Sequence, residues 1–319
     1  MMGDLPAERG SPSKPFLVSG VDYAGPIKVR LSKCRGPSTL KGYIAVFVCY
    51  STHAVHLEVV EDYSSEAFIS AFHRFTARRG HCSELHSDQG TTFVGADTEL
   101  QKLFADFRDE SSKVFHDLTS LGTTWHFISP KAPHFGGLWE AAVKSAKHHL
   151  VRVLGEQIPT FVELATLLCR IEAILNSRPL IPLNEDVNDR EILTPAHFLI
   201  QRSSFLVPEP DCTEEKIPLG KRWQLYSQMV QHFWQRWSRE YITTLQQRNK
   251  WMTPQKSLAI GDVVLVQDET TSPGKWPLAL VESIHPGTDG LVRAVTVRTE
   301  TSLLDRPVVK LVSIVSHEN

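Results

Sequence analysis

An excess of charge of one sign, a cysteine framework and a long apolar run are all missing from this sequence of 319 residues. Its 34 Lys and Arg stand against 36 Asp and Glu, a formal net charge of -2, so no global field exists to coat nucleic acid. A nucleic-acid partner would have to be gripped by local basic faces. The five cysteines, Cys34, Cys49, Cys82, Cys169 and Cys212, are odd in number, widely spaced and never form Cys-x-x-Cys. That excludes a disulfide scaffold or a structural zinc module as the first expectation. The longest strongly apolar run, Tyr43 to Tyr50, is much too short to span a bilayer, and the amino terminus lacks the regions of a signal peptide. No internal repeat or low-complexity tract is present. The expectation is a soluble, intracellular, globular chain with no membrane association.

What is there is 41% hydrophobic and 22% charged, enough for one large domain and a smaller one. Residues 1–15, rich in Gly and Pro, read as an extended leader. Strands are expected at Phe16 to Tyr23, Tyr43 to Tyr50 and His53 to Val60, with Ala24-Gly25-Pro26 ending or bending the first. The third alternates Val55, Leu57 and Val59 with His56 and Glu58, as a strand with one more polar face does. Ser64 or Ser65 caps a helix carrying Phe68, Phe72 and Phe75 up to Gly80. A short strand, Ser83 to Ser87, then delivers Asp88 to its end; Gly95 to Thr119 reads as helical, and Thr123 to Ile128 as the last strand. Two long helices follow, Leu138 to Leu154 and Thr160 to Asn176. This order predicts an α/β layer fold with a mixed sheet and flanking helices over 16–205.

Residues 206–255 read as a linker and an amphipathic helix, on which Trp223, Tyr226, Val230, Phe233, Trp237 and Tyr241 recur at intervals of three and four. At that spacing a packing face is favoured over base stacking. Four short β-like runs in 256–319 predict a small barrel. From residue 221 onward, 12 Lys and Arg against 9 Asp and Glu leave only a small positive excess for phosphate.

Three acids stand out. Asp22 interrupts an apolar strand, where an unpaired carboxylate costs several kcal/mol. Asp88 sits where a strand stops and Gln89-Gly90 turns the chain, a usual place for ligands in α/β proteins. Glu140 shares a helical stripe with Lys144, Lys147 and Val151, while Trp139, Val143, Ala146, Leu150 and Val153 form the core stripe. Taken singly, each acid has an ordinary explanation: a rim ion pair, a turn-forming Asp, an exposed charged face. Together, three converging carboxylates would supply hard oxygen ligands for two divalent ions.

The blocks Gly20-Val21-Asp22-Tyr23-Ala24-Gly25-Pro26, Ser87-Asp88-Gln89-Gly90-Thr91-Thr92-Phe93-Val94-Gly95-Ala96 and Pro133-His134-Phe135-Gly136-Gly137-Leu138-Trp139-Glu140 resemble the integrase catalytic core. They closely resemble the integrase region of BEL/Pao long-terminal-repeat retrotransposons. It continues through Ile171 to Leu180, Leu193 to Leu199, Phe233 to Tyr241 and Gly261 to Val266, in the expected order and over nearly the whole chain. The resemblance implies an RNase H-like core, then a long helix and an SH3-like β-barrel. It makes Asp22, Asp88 and Glu140 the catalytic and metal-binding triad for two Mg²⁺ or Mn²⁺ ions, and Gln89, His134, Lys144 and Lys147 candidates for guiding DNA. The 51 residues between Asp88 and Glu140 exceed the compact spacing of retroviral integrases; an insertion near Asp106 to Thr119 would explain this, and BEL/Pao relatives look similarly extended. Two features depart from the family pattern. Gln89 and Thr92 replace an Asn found in many relatives, and no His-His-Cys-Cys module precedes the core, which bears against autonomous assembly on DNA ends.

The implied activity is DNA integration: 3′-end processing and strand transfer into double-stranded target DNA, by a homo-oligomer acting in the nucleus, although no dense basic targeting run is present. Two other readings stand beside it. One is a domesticated, catalytically idle DNA- or chromatin-binding protein; the other is an RNase H-like nuclease.

Overall fold

The first sheet is built around β1 (Val18–Arg30), which pairs antiparallel with β2 (Thr39–Cys49) on one side and parallel with β4 (Glu84–Ser87) on the other. Beyond them lie β3 (Val55–Val60), antiparallel to β2, and β5 (Thr124–Phe127), parallel to β4, giving the order β3-β2-β1-β4-β5. This is the ribonuclease H-like order expected from the resemblance. The computed structural model describes residues 13–30, 39–110, 122–127, 137–182, 192–218, 220–246, 258–268, 271–287, 292–299 and 302–315; side chains of 104–110, 137–143, 182 and 315 are not described. The expected leader thus falls, but for its last residues, outside the described part, as does the loop from Ser129 to Gly136.

The chain divides into two compact units, one of Met1–Asn176 with Phe198–Gln201, the other of Ser177–His197 with Arg202–Asn319. In the first, α1 (Ser65–Arg79) starts where the Ser64 hydroxyl accepts from the Ala67 N–H. It stops at Gly80, whose φ of 90° suits glycine and whose N–H reaches the Thr76 carbonyl. Phe68, Phe72 and Phe75 lock onto Phe47 of β2, Phe93 of α2 (Thr91–Glu110) and Trp125 of β5. Each fully buried Phe contributes about 1.5–3 kcal/mol by area. Helix α2 begins earlier than expected, at Thr91, and its Gly95 lies so close to α1 that a Cβ would collide with the Ser65 hydroxyl.

Of the two outcomes expected at Ala24-Gly25-Pro26, the strand bends rather than ends: β1 continues to Arg30, absorbing the proline in a register shift between Ala24 and Ile27. In β3 the more polar face of His56 and Glu58 lies in the interior, since all six residues are buried. His56 Nε2–H donates to Glu58 at 2.9 Å, and Glu58 also pairs with Arg74 and Arg78 of α1. Arg79 reaches both His56 Nδ1 and Glu172. Glu172 lies on α4 (Phe161–Asn176), whose side chains seal the sheet edge. Glu172 accepts from Leu57 N–H, and Asn176 both accepts from Val55 N–H and donates to Val55 C=O, all at 2.8 Å. An edge strand's open hydrogen bonds are thereby closed by two side chains.

In the second unit, the short pair β6 (Ile181–Pro182) and β7 (Ile192–Leu193) precedes α5 (Pro195–Ile200), which bridges the two units in sequence, and α6 (Arg222–Leu245). Tyr226, Val230, Phe233 and Trp237 of α6 are buried, as a packing face requires, although Trp223 is 63% exposed. The second sheet has five strands rather than the expected four: β8 (Val263–Val266), β9 (Leu278–Pro286), β10 (Val292–Arg298), β11 (Leu303–Pro307) and β12 (Leu311–Val315). The additional strand is β11, which ends where the last expected run, Pro307 to Ile314, begins; that run opens on a single 3₁₀ turn at Val308–Lys310 before β12. All pairings are antiparallel, in the order β11-β10-β9-β8-β12, around Val264, Val266, Val281, Val295 and Val297. No helix among the described residues is long and apolar enough to cross a membrane.

Candidate active site

The first two acids follow one stretch of parallel pairing. β1 and β4 run parallel with Val18 opposite Glu84, Ser19 opposite Leu85 and Gly20 opposite His86. Two residues past this paired stretch stand Asp22, still on β1, and Asp88, just beyond the end of β4, and both carboxylates act on the Tyr63 phenol. Because side chains alternate along a strand, Val21 enters the core between the sheet and α1, whereas Asp22 projects from the opposite face. That face meets α3 (Gly137–Leu154): Lys147 Nζ lies 2.5 Å from Asp22 Oδ2. Asp22 Oδ1 accepts at 2.6 Å from the Tyr23 N–H, so both carboxylate oxygens are held.

Asp88 lies just past the end of β4 and is exposed. Its Oδ1 accepts from the Gly90 N–H at 3.1 Å, a tight Asx turn. Gly90 is needed there, since a Cβ would stand 3.1 Å from Asp88 Oδ1 and 3.2 Å from the Tyr63 hydroxyl. Burial raises the pKa of the Tyr63 phenol, and the negative charges of Asp88 and Asp22 raise it further against an opposing hydrogen bond to Thr92. The phenol therefore stays protonated within the field of both acids. Tyr63 was not legible as a site residue from sequence, since its position follows a loop; its ring packs on Tyr23 and Tyr43.

Lys144 stands one turn before Lys147 on α3 and is exposed, as is Val151, while Ala146 and Leu150 are buried. The two stripes expected for this helix are thus separated as read, over the part whose side chains are described. Glu140 belongs to the described backbone of α3, two turns before Lys147, but its side chain lies outside the described residues, as does all of His134. Gln89 is exposed beside Asp88. Among the predicted site residues, the structure shows Lys147 on Asp22 and both Asp22 and Asp88 acting on Tyr63, with Gln89 and Lys144 exposed.

The carboxylate oxygens of Asp22 and Asp88 are hard donors of the kind that hold Mg²⁺ or Mn²⁺, and the Lys147 ammonium on Asp22 already places positive charge there. The residues present fit a divalent cation.

A family model described as a family of unknown function (DUF5641) matches residues 221–314, the segment of α6 and the second sheet. Comparison with curated proteins finds no match. Among solved structures, the chain is similar to the simian T-cell lymphotropic virus intasome in complex with the PP2A regulatory subunit B56 gamma, at 15% identity and a TM-score of 0.37, covering 96% of this chain and 81% of that one. It is also similar to the HTLV-2 integrase catalytic core domain in complex with magnesium, in a trimeric form, at 17% identity and a TM-score of 0.35, covering 58% of this chain and 97% of that one. At these scores neither likeness bears weight, and the fold assignment stands on strand order and direction.

Proposed function

We propose that this chain is a metal-dependent polynucleotidyl transferase of the integrase type, of the kind BEL/Pao retrotransposons carry, which trims linear duplex DNA ends and joins them to target DNA. One observation supports the reading: Asp22 and Asp88 follow the parallel-paired stretch of β1 and β4 and both act on the Tyr63 phenol, with Lys147 of α3 in contact with Asp22. Glu140, two turns before Lys147 on the same helical stripe, is the third acid of the proposed site.

When bound, a pair of Mg²⁺ or Mn²⁺ ions supplies Lewis acidity for activating an attacking oxygen and neutralising charge on a departing one. Asp22, Asp88 and Glu140 hold the cations. Lys147, paired with Asp22 in the present state, is then free to turn to the phosphate backbone, which the exposed Lys144 also serves. Gln89 and His134 position the DNA strand. The Tyr63 phenol keeps its proton and offers a neutral hydroxyl beside the acids. Assembly as a homo-oligomer on double-stranded DNA in the nucleus follows from this reading.

The test is a joining assay on linear duplex ends with Mg²⁺ or Mn²⁺. Asp22→Asn, Asp88→Asn and Glu140→Gln are each expected to abolish strand transfer while DNA binding persists. Joining retained by any of the three refutes the assignment. Cleavage of RNA in RNA–DNA hybrids without joining assigns an RNase H-like nuclease instead, and DNA binding with neither reaction assigns an idle binding protein.

A further inference from the structure

A second group of metal-ligating side chains sits upstream of Asp88. Glu84 and His86 alternate on β4, so both project from one face of the sheet, and His126 on β5 stands directly opposite His86 in the parallel register. Glu84 Oε2 lies 3.4 Å from His126 Nε2 and 3.8 Å from His86 Nε2, and one ligand atom from each residue falls within 4.8 Å of the others. The two imidazoles stack at 4.7 Å with an angle of 23°, and Tyr50 stacks on His86 at 4.8 Å. Among the described residues no lysine or arginine pairs with Glu84; its ionic neighbours are these two histidines.

We propose that Glu84, His86 and His126 form a cation site of the nitrogen and oxygen type, selective for Zn²⁺ over Mg²⁺. Two neutral imidazole nitrogens and one carboxylate oxygen are a three-ligand set typical of zinc, whereas Mg²⁺ takes oxygen ligands. Bonds of about 2.0–2.2 Å in a tetrahedron bring ligand atoms to roughly 3.4 Å apart, so the set needs side-chain rotation alone to close. His126 is exposed and Glu84 and His86 are partly so, which leaves a path for the ion and an open position for water. The site differs from the two acids: Gly20 stands opposite His86, and Asp22 and Asp88 each follow two residues later. Its effect would be to clamp β4 to β5 at the sheet edge, immediately before the turn that presents Asp88.

The experiment is equilibrium dialysis of the full chain carrying Asp22→Asn and Asp88→Asn against Zn²⁺, with Co²⁺ absorption as a second readout. In that background the acid pair does not contribute, so the result is independent of the proposed function. About one equivalent of Zn²⁺ is expected at micromolar concentration, undiminished by millimolar Mg²⁺. Adding His126→Ala or Glu84→Gln should each weaken uptake at least about tenfold, and His126→Ala should also diminish the nitrogen-ligand signature of the Co²⁺ form. Both are surface substitutions, and circular dichroism checks their folding. No uptake at micromolar Zn²⁺, or uptake unchanged in both variants, overturns the proposal.

Discussion

The sheet edge sealed by Asn176 offers the sharpest test of the physical account. Asn176 is 3% exposed, and its amide both accepts from Val55 N–H and donates to Val55 C=O at 2.8 Å. Truncation to alanine leaves both backbone groups buried and without this partner. Each orphaned group costs about 1–3 kcal/mol, so Asn176→Ala is expected to lose about 4 kcal/mol. At roughly 2–4 °C per kcal/mol for a unit of this size, the transition of the first unit should fall by roughly 10 °C. Asn176→Leu restores volume but neither hydrogen bond, and should be no better. Asn176→Asp separates the two bonds, because a carboxylate still accepts from Val55 N–H but faces the Val55 carbonyl with a second acceptor. It should match the alanine variant at neutral pH and gain on it at about pH 4, where a protonated carboxyl donates again. Thermal and urea denaturation of the three variants at both pH values make the measurement. An alanine variant within about 1 kcal/mol of the parent would show that α4 does not satisfy this edge.

The Tyr23 hydroxyl is buried with no hydrogen-bond partner among the described residues, so Tyr23→Phe should leave stability unchanged or raise it by about 1 kcal/mol, read by urea denaturation; a loss above that would mean a partner exists. Gly95→Ala drives a methyl into the Ser65 hydroxyl and should cost about 1–3 kcal/mol, relieved in part by adding Ser65→Gly. Burial lowers the pKa of His56, which already sits beside Arg79 and close to Arg78. An unfolded chain then binds a proton near pH 6.5 that the folded one refuses, so stability should fall as pH drops below about 6.5. Glu172, held below its ordinary value by His56 and Arg79 despite its burial, adds a loss in the same direction as pH falls through its folded pKa. A His56→Gln chain should show a shallower acid slope; an equal slope would place the titration elsewhere.

Much of the first unit was legible because local patterns and tertiary demands agree. Ser64 and Gly80 bound α1 as capping chemistry dictates, and the unbroken apolar run of β2 marked a strand buried on both faces. The polar residues of β3 misled for a physical reason: His56 and Glu58 alternate like a wet face, yet arginines from α1 neutralise them in the interior. Gly25-Pro26 was read as the end or bend of a strand, but a bulge lets pairing resume. In the second sheet the fifth strand, Leu303–Pro307, was missed because Asp305, Arg306 and Pro307 give it no apolar pattern.

The acids themselves could be singled out by sequence alone, because a carboxylate in an apolar strand and another at a strand end are each costly or exposed for a reason. Strand order and direction, and the parallel offset that pairs Gly20 with His86 two residues before the two acids, came only with the folded sheet. So did Lys147 on Asp22, Tyr63 near both acids and His126 opposite His86. Periodicity is a property of neighbours along one chain, whereas register between strands is chosen by hydrogen bonds and packing among segments far apart in it.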